Sequence, residues 1–248
     1  MYQFFVDPCQ IAGTKVTITG SDVNHIKNVL RMRIGEKLSV VTEGGNKEYQ
    51  CEIAAFDTQQ IICTVESVKE ETVELPNQIY LFQGLPKSDK MELVIQKAVE
   101  LGVFQIIPVQ TKRTVVKLDA KKETAKLMRW NAIAEAAAKQ AKRRLIPEVK
   151  SVMGLKEAME YCVNFPVKLI PYELSDKEGM QKTRTRISEI GPGQQIAVFI
   201  GPEGGFDERE IELATNKGIV PITLGRRILR TETAGLTILA WLVFALEQ

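Results

Sequence analysis

The stretch that most constrains the fold runs from residue 196 to residue 235, where two apolar segments each end in a loop that contains glycine. Residues 196–200 form a continuous apolar run, which is typical of a strand buried on both faces of a parallel sheet. Three of the next five residues, 201–205, are glycine, which permits positive φ and close backbone approach to a bound molecule. The second segment, residues 219–224, stops at Gly225. We expect the two strands to lie side by side and their loops to form a ligand crevice.

The glycine loop does not match the two familiar nucleotide-binding templates. Pro202 and Glu203 do not fit a G-x-G-x-x-G turn, and no G-K-[ST] follows for a P-loop. The loop is therefore either an ordinary turn or a site for another ligand. Asp207 and Glu210 have the spacing of a capping box, which predicts a helix after the loop. A dense Arg/Thr/Glu cluster at residues 226–233 precedes the final apolar helix and favours the ligand interpretation.

Charge is distributed unevenly along a chain whose net charge is +2. Residues 1–72 contain 7 basic and 10 acidic residues, a net charge of −3. Residues 112–150 contain 12 basic and 4 acidic residues, a net charge of +8. Such a surface would attract a polyanion, although a solvated helix face is an equally good alternative on charge alone.

Cysteine and histidine usage argues against a metal site. The four cysteines show no C-x-x-C spacing, and His25 is the single histidine. Buried thiols in a reducing cytoplasm are expected. The first residues show no signal-peptide pattern, and the most apolar run, residues 234–246, is too short to span a bilayer. The sequence thus predicts a cytoplasmic protein without metal and without a membrane segment.

The first 72 residues predict a small β-rich domain, with strands at residues 15–19, 37–41, 48–53 and 60–65. Residues 22–33 predict a short helix that carries a basic spot of Lys27, Arg31 and Arg33, with Lys37 nearby. Small barrels of this kind commonly bind nucleic acid, and phosphate contact is a natural use for the spot. His25 is either part of this surface or a structural histidine.

From residue 73 onwards strands and helices alternate, which predicts a mainly parallel sheet covered on both faces. Strands are expected at residues 78–83, 103–109 and 167–170 besides the two above, and helices at residues 89–101, 124–143, 155–162 and from 231. Residues 70–76 are expected to link the two domains, 1–72 and 73–248. Residues 174–194 are expected to form a mobile loop or lid.

Several motifs together resemble one known family. They are H-I-K-N-V-L-R-M-R-I-G, Q-G-L-P-K-S-D-K-M-E-L-V-I-Q-K-A-V-E-L-G-V, A-A-A-K-Q-A-K-R, G-P-E-G-G-F and L-G-R-R-I-L-R-T-E-T-A. They are similar to the RsmE family of the SPOUT superfamily. Members of that family are S-adenosylmethionine-dependent methyltransferases that act on N3 of a uridine in 16S ribosomal RNA. The similarity extends over nearly the whole chain.

The resemblance implies a fold that elementary rules do not predict. Knots are nearly absent from proteins, so the residues alone predict an unknotted, doubly wound α/β domain. The family instead combines a small PUA-like β-barrel with a SPOUT-type, mainly parallel α/β sheet that ends in a C-terminal trefoil knot. The resemblance also implies a homodimer that acts on 16S ribosomal RNA within the small ribosomal subunit. An apolar C-terminal helix with few polar positions agrees with a subunit interface.

The resemblance further implies the residues of the site. Three loops, at residues 170–173, 200–206 and 224–233, would grip S-adenosylmethionine. The expected cofactor-binding residues are Ile170, Pro171, Tyr172, Ile200, Gly201, Pro202, Glu203, Gly204, Gly205, Leu224, Gly225, Ile228, Leu229, Arg230 and Thr233. The expected RNA-binding residues are His25, Lys27, Arg31, Arg33, Lys112, Arg113, Lys142 and Arg143.

Methylation of uridine N3 needs an imide proton to leave and the resulting negative charge to be stabilised. Arg230 is the candidate for that stabilisation, because a guanidinium stays charged and presents a planar set of donors. Glu203 and Glu232 are candidates for accepting the proton or for orienting Arg230, and either is equally explained as a helix cap.

Two other functions remain open on the sequence. A non-enzymatic RNA-binding assembly factor would keep the basic residues but would not need two glycine loops at strand ends. A SPOUT methyltransferase acting on transfer RNA or on a ribose 2′-OH would share the fold and the cofactor.

Overall fold

The computed structural model describes residues 1–70, 73–173 and 179–247. The chain divides into two compact units. The first comprises Met1–Glu74 and Ala138–Ile146, and the second comprises Leu75–Ala137 and Pro147–Gln248. The expected boundary after residue 72 falls at residues outside the described part, and it stays a prediction. Nothing in the sequence indicated that residues 138–146 belong with the first unit.

The first unit is built on a curled sheet of β1 (Gln3–Val6), β2 (Ile11–Ala12), β3 (Lys15–Thr19), β4 (Lys37–Thr42), β5 (Glu48–Phe56) and β6 (Gln60–Lys69). The strand order is β1-β4-β5-β6-β3-β2. β1 pairs in parallel with β4, and the other pairings are antiparallel. Register shifts between β5 and β6 increase the local twist. Val16, Ile18, Leu38 and Ile61 are among the buried residues of its core.

The helix expected at residues 22–33 is shorter and irregular. α1 (Ser21–Asn24) passes into a π-helical turn at His25–Val29. Arg31 has a φ of 53°, a left-handed conformation that a right-handed helix of L-residues does not contain. Arg31 and Arg33 therefore lie on an exposed loop after the helix.

The returning segment, residues 138–146, completes the first unit through ion pairs. Arg143 is 4% exposed, and its Nε lies 3.1 Å from Glu74 Oε2. Arg144, also 4% exposed, donates to Glu48 Oε2 at 3.1 Å. Loss of one partner from a buried ion pair is strongly destabilising, so this segment is an integral part of the unit.

The second unit is a parallel sheet with helices. Its strands are β7 (Gln78–Gly84), β8 (Gln105–Gln110), β9 (Glu148–Val149), β10 (Met153–Gly154), β11 (Val167–Pro171), β12 (Gln195–Ile200) and β13 (Val220–Ile222). The helices of this part of the chain are α2 (Lys90–Glu100), α3 (Ala120–Gln140), α4 (Leu155–Tyr161), α5 (Gly179–Ser188), α6 (Glu208–Asn216) and α7 (Thr231–Leu246). The strand order is β10-β8-β7-β12-β11-β13, with β9 paired to β8. Each of these pairings is parallel, so the predicted parallel α/β sheet is confirmed.

The predicted side-by-side arrangement of β12 and β13 is wrong. β11 lies between them and pairs with both. The ends of β12 and β13 are therefore two strand spacings apart, roughly 10 Å. Residues 171–173, at the end of β11, fall between the two loops that follow β12 and β13. A crevice is still formed, but it is wider and has three walls.

The expected lid at residues 174–194 is in part a helix. Residues 179–188 form α5, which is fixed to the sheet by buried Thr183, whose hydroxyl donates to the Thr223 carbonyl at 3.0 Å. Residues 174–178 of the expected lid lie outside the described part. The helix has few apolar residues, which explains why periodicity did not reveal it.

The core of the parallel sheet is apolar. Phe82 of β7 and Phe199 of β12 are fully buried and stack with ring centroids 4.4 Å apart. α7 buries Ile238, Leu239 and Leu242. Across the described ranges, no helix has both the length and the apolar character needed to cross a membrane.

Candidate functional site

A cavity of about 710 Å³ opens at the carboxyl ends of β11, β12 and β13. Its volume is in the usual range for small-molecule sites, and this end of a parallel sheet is where α/β proteins bind ligands. Most residues expected to bind the cofactor line it, namely Pro171, Tyr172, Ile200, Gly201, Pro202, Glu203, Gly204, Gly205, Leu224, Gly225, Ile228, Leu229 and Arg230. Ile170 is instead buried within the sheet, and Thr233 is exposed on the first turn of α7.

Backbone contacts fix the shape of the glycine loop, residues 201–205. A Cβ at Gly84, the last residue of β7, would lie 2.6 Å from the Pro202 nitrogen. A Cβ at Gly201 would lie 3.1 Å from the backbone of Gly205, which itself has a φ of +64°. The loop is thus a tight turn in which only glycine allows the observed approach of main chain to main chain.

A buried hydrogen-bond network fixes the start of α7 at the cavity. The Thr231 hydroxyl donates to the Gly201 carbonyl at 2.6 Å and accepts from the Gln83 amide at 2.8 Å. Gln83 is fully buried near the end of β7. The chain that returns from β13 is therefore tied to both β7 and the glycine loop.

Lys90, the first residue of α2, connects the two carboxylates that the sequence singled out. Its ammonium nitrogen lies 3.4 Å from Glu203 Oε1 and 3.4 Å from Glu232 Oε2. Glu203 Oε1 also accepts from the Lys87 N–H at 3.0 Å. The expectation that these carboxylates orient Arg230 is not met among the described contacts, because both pair with Lys90 instead.

Glu203 is held in its ionised form. Burial alone would raise its pKa, but the N–H groups of Glu203 and Lys87 and the Lys90 ammonium outweigh burial and leave the pKa below its ordinary value. A carboxylate with a lowered pKa is a weak proton acceptor.

In the same cavity, burial and the charges of Glu208 and Glu173 raise the pKa of the Tyr172 phenol, which stays neutral.

The segment between β13 and α7 presents cations to solvent. Arg226, Arg227 and Arg230 are exposed and line the cavity. Ile228, in the same segment, is 86% exposed. Lys90 and Glu203 therefore line one side of the cavity, with Glu232 paired to Lys90 behind them, and arginines line another side.

Lys112 and Arg113 hold the glycine loop in place. Lys112 Nζ lies 2.9 Å from Asp207 Oδ2, and Arg113 donates to the Gly204 carbonyl at 2.9 Å. The Lys112 hydrogen bond is the main reason that the pKa of Asp207 lies below its ordinary value. Both side chains remain about half-exposed, so an RNA contact stays a prediction for them.

The residues of the first unit that were expected to contact RNA differ in how far their side chains are exposed to solvent. His25, Arg31, Arg33 and Lys142 are exposed. Lys27 is half-buried, donates to the Asp57 carbonyl and lies 5.7 Å from the centroid of the Phe56 ring. Arg143 is wrong as an RNA contact, because its guanidinium is buried against Glu74.

Sequence reasoning missed Gly84 and Lys90. Both belong to the string Q-G-L-P-K-S-D-K, which follows the apolar strand β7 directly. β7 ends at the same edge of the sheet as the strands whose loops were recognised. A glycine at the carboxyl end of any apolar strand was the signal that could have found them.

The side chains that often hold metals or react with electrophiles are dispersed. The described residues contain no cluster of three His, Cys, Asp or Glu groups able to hold a metal ion. Burial raises the pKa of Cys51 to about 11, of Cys63 to about 12 and of Cys162 to about 11, so these thiols stay protonated. Cys9 is exposed.

Two family models account for most of the chain. Residues 73–243 match the family described as RNA methyltransferase domain, and residues 18–66 match the family described as RNA methyltransferase PUA domain. The parallel sheet with its terminal cavity and the curled antiparallel sheet correspond to these two matches. Fold and site together therefore define an RNA methyltransferase with a PUA-like domain.

Individual relatives narrow this class. Ribosomal RNA small subunit methyltransferase E of Bacillus subtilis is 38% identical over 232 residues, which cover 93% of this chain and 90% of that protein. The protein of that name from Neisseria gonorrhoeae, solved with S-adenosyl methionine bound, has a TM-score of 0.81 at 30% identity and covers 98% of this chain and 97% of its own. A methyltransferase of Legionella pneumophila with the cofactor SAM bound has a TM-score of 0.86 at 33% identity, with the same coverage of 98% and 97%. The chain belongs to the ribosomal RNA small subunit methyltransferase E family, as the sequence motifs predicted.

Proposed function

We propose that this protein transfers a methyl group from S-adenosylmethionine to N3 of one uridine in the 16S ribosomal RNA of the small subunit, in the cytoplasm. The observation that carries the proposal is the three-walled cavity at the ends of β11, β12 and β13, in a chain of this family. A non-enzymatic RNA-binding factor would have no use for a glycine turn this tightly packed against β7 and α7.

The residues present fit the cofactor. Backbone of the glycine loop and of residues 171–173 and 224–229 would hold it, and the Glu203–Lys90–Glu232 cluster, with one more negative than positive charge, suits a cationic sulfonium ligand. The cofactor supplies a methyl group on a sulfonium, so the chain has to provide binding, orientation and electrostatics. Correct orientation of reactants can contribute roughly 7–11 kcal/mol to lowering a barrier.

The uracil has to lose its N3 proton before the nitrogen lone pair can attack. We assign the stabilisation of the resulting anion to Arg230, which is exposed at the cavity with a guanidinium free to meet the uracil oxygens. Glu203 has a lowered pKa and is already engaged by Lys87 and Lys90, so it serves to position Lys90. The proton then passes to water at the mouth of the cavity.

Cofactor binding is tested by a thermal melt. S-adenosylmethionine at 100 times its dissociation constant should stabilise the folded protein by roughly 2.7 kcal/mol. Tritium from the labelled methyl group should then appear in small subunits isolated from a strain that lacks the enzyme, and mapping of the modified base should place it on uridine N3. Label on a ribose 2′-OH or on transfer RNA would refute the proposed substrate.

The assignment of Arg230 is tested by the pH profile of methyl transfer. If the proton leaves to water, the rate on bound RNA should keep rising with pH through and above neutrality, and Arg230→Gln should shift this rise to higher pH. A rate that is flat above the carboxylate range would instead identify Glu203 or Glu232 as the base.

We further propose that the second unit contains the trefoil knot of its family. The chain leaves the sheet at its edge strand β13 and returns at Thr231 to hydrogen-bond Gln83 and Gly201 at interior strands, and this path supports a threaded C-terminal segment. In single-molecule stretching from residues 73 and 247, a knotted chain should extend less far than the contour length of the same number of residues. Full extension would exclude the knot.

A further inference from the structure

The segment between β13 and α7 carries exposed side chains that the proposed backbone contacts to the cofactor do not use. Ile228 is 86% exposed although it is a large aliphatic residue. It is flanked by Arg226, Arg227 and Arg230, which are exposed and form no side-chain hydrogen bond or ion pair with any described residue. We call residues 226–230 the arginine–isoleucine segment.

Other cations around the cavity are engaged within the protein. Lys90 pairs with Glu203 and Glu232, and Lys112 pairs with Asp207. In the arginine–isoleucine segment, by contrast, positive charge and apolar surface are both exposed to solvent. Three guanidinium groups around one aliphatic side chain match a partner that combines phosphates with flat apolar faces, as a nucleic acid does.

The position of the reacting atom adds a requirement. N3 lies on the Watson–Crick edge of uracil, so it can meet a methyl donor only if the base is unpaired and turned out of the stack into the cavity. A base that leaves the stack opens a gap between its neighbours. Apolar side chains inserted at such steps stabilise the unstacked form of a nucleic acid.

We propose that Ile228 enters the gap left by the target uridine, while Arg226 and Arg227 hold the phosphates on either side. This inference rests on the proposed function, and it gives the arginine–isoleucine segment a positioning role distinct from the charge stabilisation assigned to Arg230. Arg226 and Arg227 act on RNA affinity through phosphate contacts. Ile228 acts on the fraction of bound RNA whose uridine is turned out, and by stabilising that bound form it also strengthens RNA binding.

The test compares Ile228→Ser, Ile228→Met and Val115→Ser. Val115 is the matched control, because it is an aliphatic residue of the same unit that is 68% exposed. With small subunits from a strain lacking the enzyme, Ile228→Ser should reduce the single-turnover rate of methyl transfer on bound RNA by roughly ten- to a hundredfold. Ile228→Met should retain most of the rate, and Val115→Ser should equal the wild type both in rate and in cofactor affinity by calorimetry. All rates are compared at saturating S-adenosylmethionine, so that a change in cofactor affinity of an Ile228 variant does not enter them.

The arginines are tested by the salt dependence of RNA binding. Each of Arg226→Gln and Arg227→Gln should lower the slope of log affinity against log salt by about one. The inference would be overturned if Ile228→Ser showed the same single-turnover rate and the same RNA affinity as the wild type. So would a change in the molar mass of Ile228→Ser by light scattering, which would show that a second copy of the chain covers this residue.

The failure of the proposed function has a different signature. If the wild type binds S-adenosylmethionine but methylates no RNA, the enzymatic proposal fails. In that case the insertion of Ile228 is still tested by the affinities of Ile228→Ser, Ile228→Met and Val115→Ser for small subunits. The insertion predicts weaker binding for Ile228→Ser alone.

Discussion

Lys90 illustrates how a site is organised by a residue that sequence patterns do not mark. Glu203 and Glu232 are separated by 29 positions in the sequence, and a lysine from another helix joins them. Two carboxylates close together repel each other, and the Lys90 ammonium lies between them and offsets this repulsion. The charge state of this wall of the cavity therefore depends on α2, which contributes Lys90 alone to the lining.

Glu203→Gln should reveal this coupling through pH. The pKa of Glu203 is lower in the folded protein than the ordinary 4.5, so the ionised group contributes stability above 4.5, and the contribution is lost as the pH falls through the lower folded value. In urea unfolding, the variant should be less stable than the wild type at neutral pH, and the difference should shrink under acid. The difference should be smaller throughout in a Lys90→Met background. A gap that widens under acid would contradict the assigned shift.

Gly84→Ala should disturb the glycine loop from outside it. The new Cβ would lie 2.6 Å from the Pro202 nitrogen and 2.8 Å from the Gly201 carbonyl carbon, and backbone cannot yield as a side chain can. We expect a loss of roughly 1–3 kcal/mol in stability and a weaker cofactor affinity by calorimetry. Gly154→Ala, with no atom within 4 Å of the added Cβ, is the matched control and should leave both unchanged. Equal behaviour of the two variants would argue against the close contact.

At the scale of elements, apolar runs and capping residues predicted those helices and strands whose formation depends on neighbouring residues in the sequence. The strands β7, β8, β11, β12 and β13 and the helix after Asp207 lie close to where they were expected, because burial on both faces and the capping box are local signals. The two-residue strands β9 and β10 were not predicted. The position of β11 between β12 and β13 depends on which strands pair in the sheet, and no local sequence pattern predicts this pairing. α5 escaped prediction because it has few apolar residues.

The basic stretch at residues 112–150 shows that a binding surface, like strand pairing, is not predicted by a local sequence pattern. Its net charge of +8 is a property of the sequence alone. The carboxylates that neutralise Lys112, Arg129 and Arg143 come from distant positions. Most residues of the expected cofactor loops line one cavity, and the family motifs in these loops marked them in the sequence. A cationic surface, in contrast, depends on which charges folding brings together.

Thr231→Val tests the network that fixes the start of α7. Valine has nearly the same shape, but it leaves the Gly201 carbonyl without the hydroxyl donor and the Gln83 amide without this acceptor. We expect a loss of roughly 1–3 kcal/mol by urea unfolding, with weaker cofactor binding because the glycine loop loses its tether. Thr231→Ser keeps the hydroxyl and should retain most of both. Full stability of the valine variant would show that the network carries little energy.

At the scale of the whole molecule, α7 leaves apolar surface uncovered. Phe244 is 90% exposed on a helix whose sequence is apolar nearly all round. We propose that a second copy of the chain covers this face. Exposed aromatic side chains of this size commonly anchor interfaces.

Phe244→Glu should therefore convert a dimer into a monomer. The charge would have to be buried unpaired in the interface, which is costly. Light scattering at micromolar concentration should give twice the chain mass of 27.8 kDa for the wild type and a single mass for the variant. Met128→Glu, at a residue that is 72% exposed on α3, is the control and should remain dimeric. A wild type with the mass of one chain would refute the dimer.

The returning segment with Arg143 and Arg144 has a consequence for how the protein is made. Glu74 and Glu48 are synthesised long before the arginines that neutralise them, and the chain between Glu74 and Arg143 contains β7, α2, β8 and α3. While the chain is still being translated, the N-terminal sheet therefore lacks the guanidinium groups of Arg143 and Arg144 until residue 146 has left the ribosome. A fragment ending at residue 74 should stay loosely packed, with broad NMR signals, and a synthetic peptide of residues 138–146 should sharpen them. In this protein the order of synthesis and the order of folding are not the same.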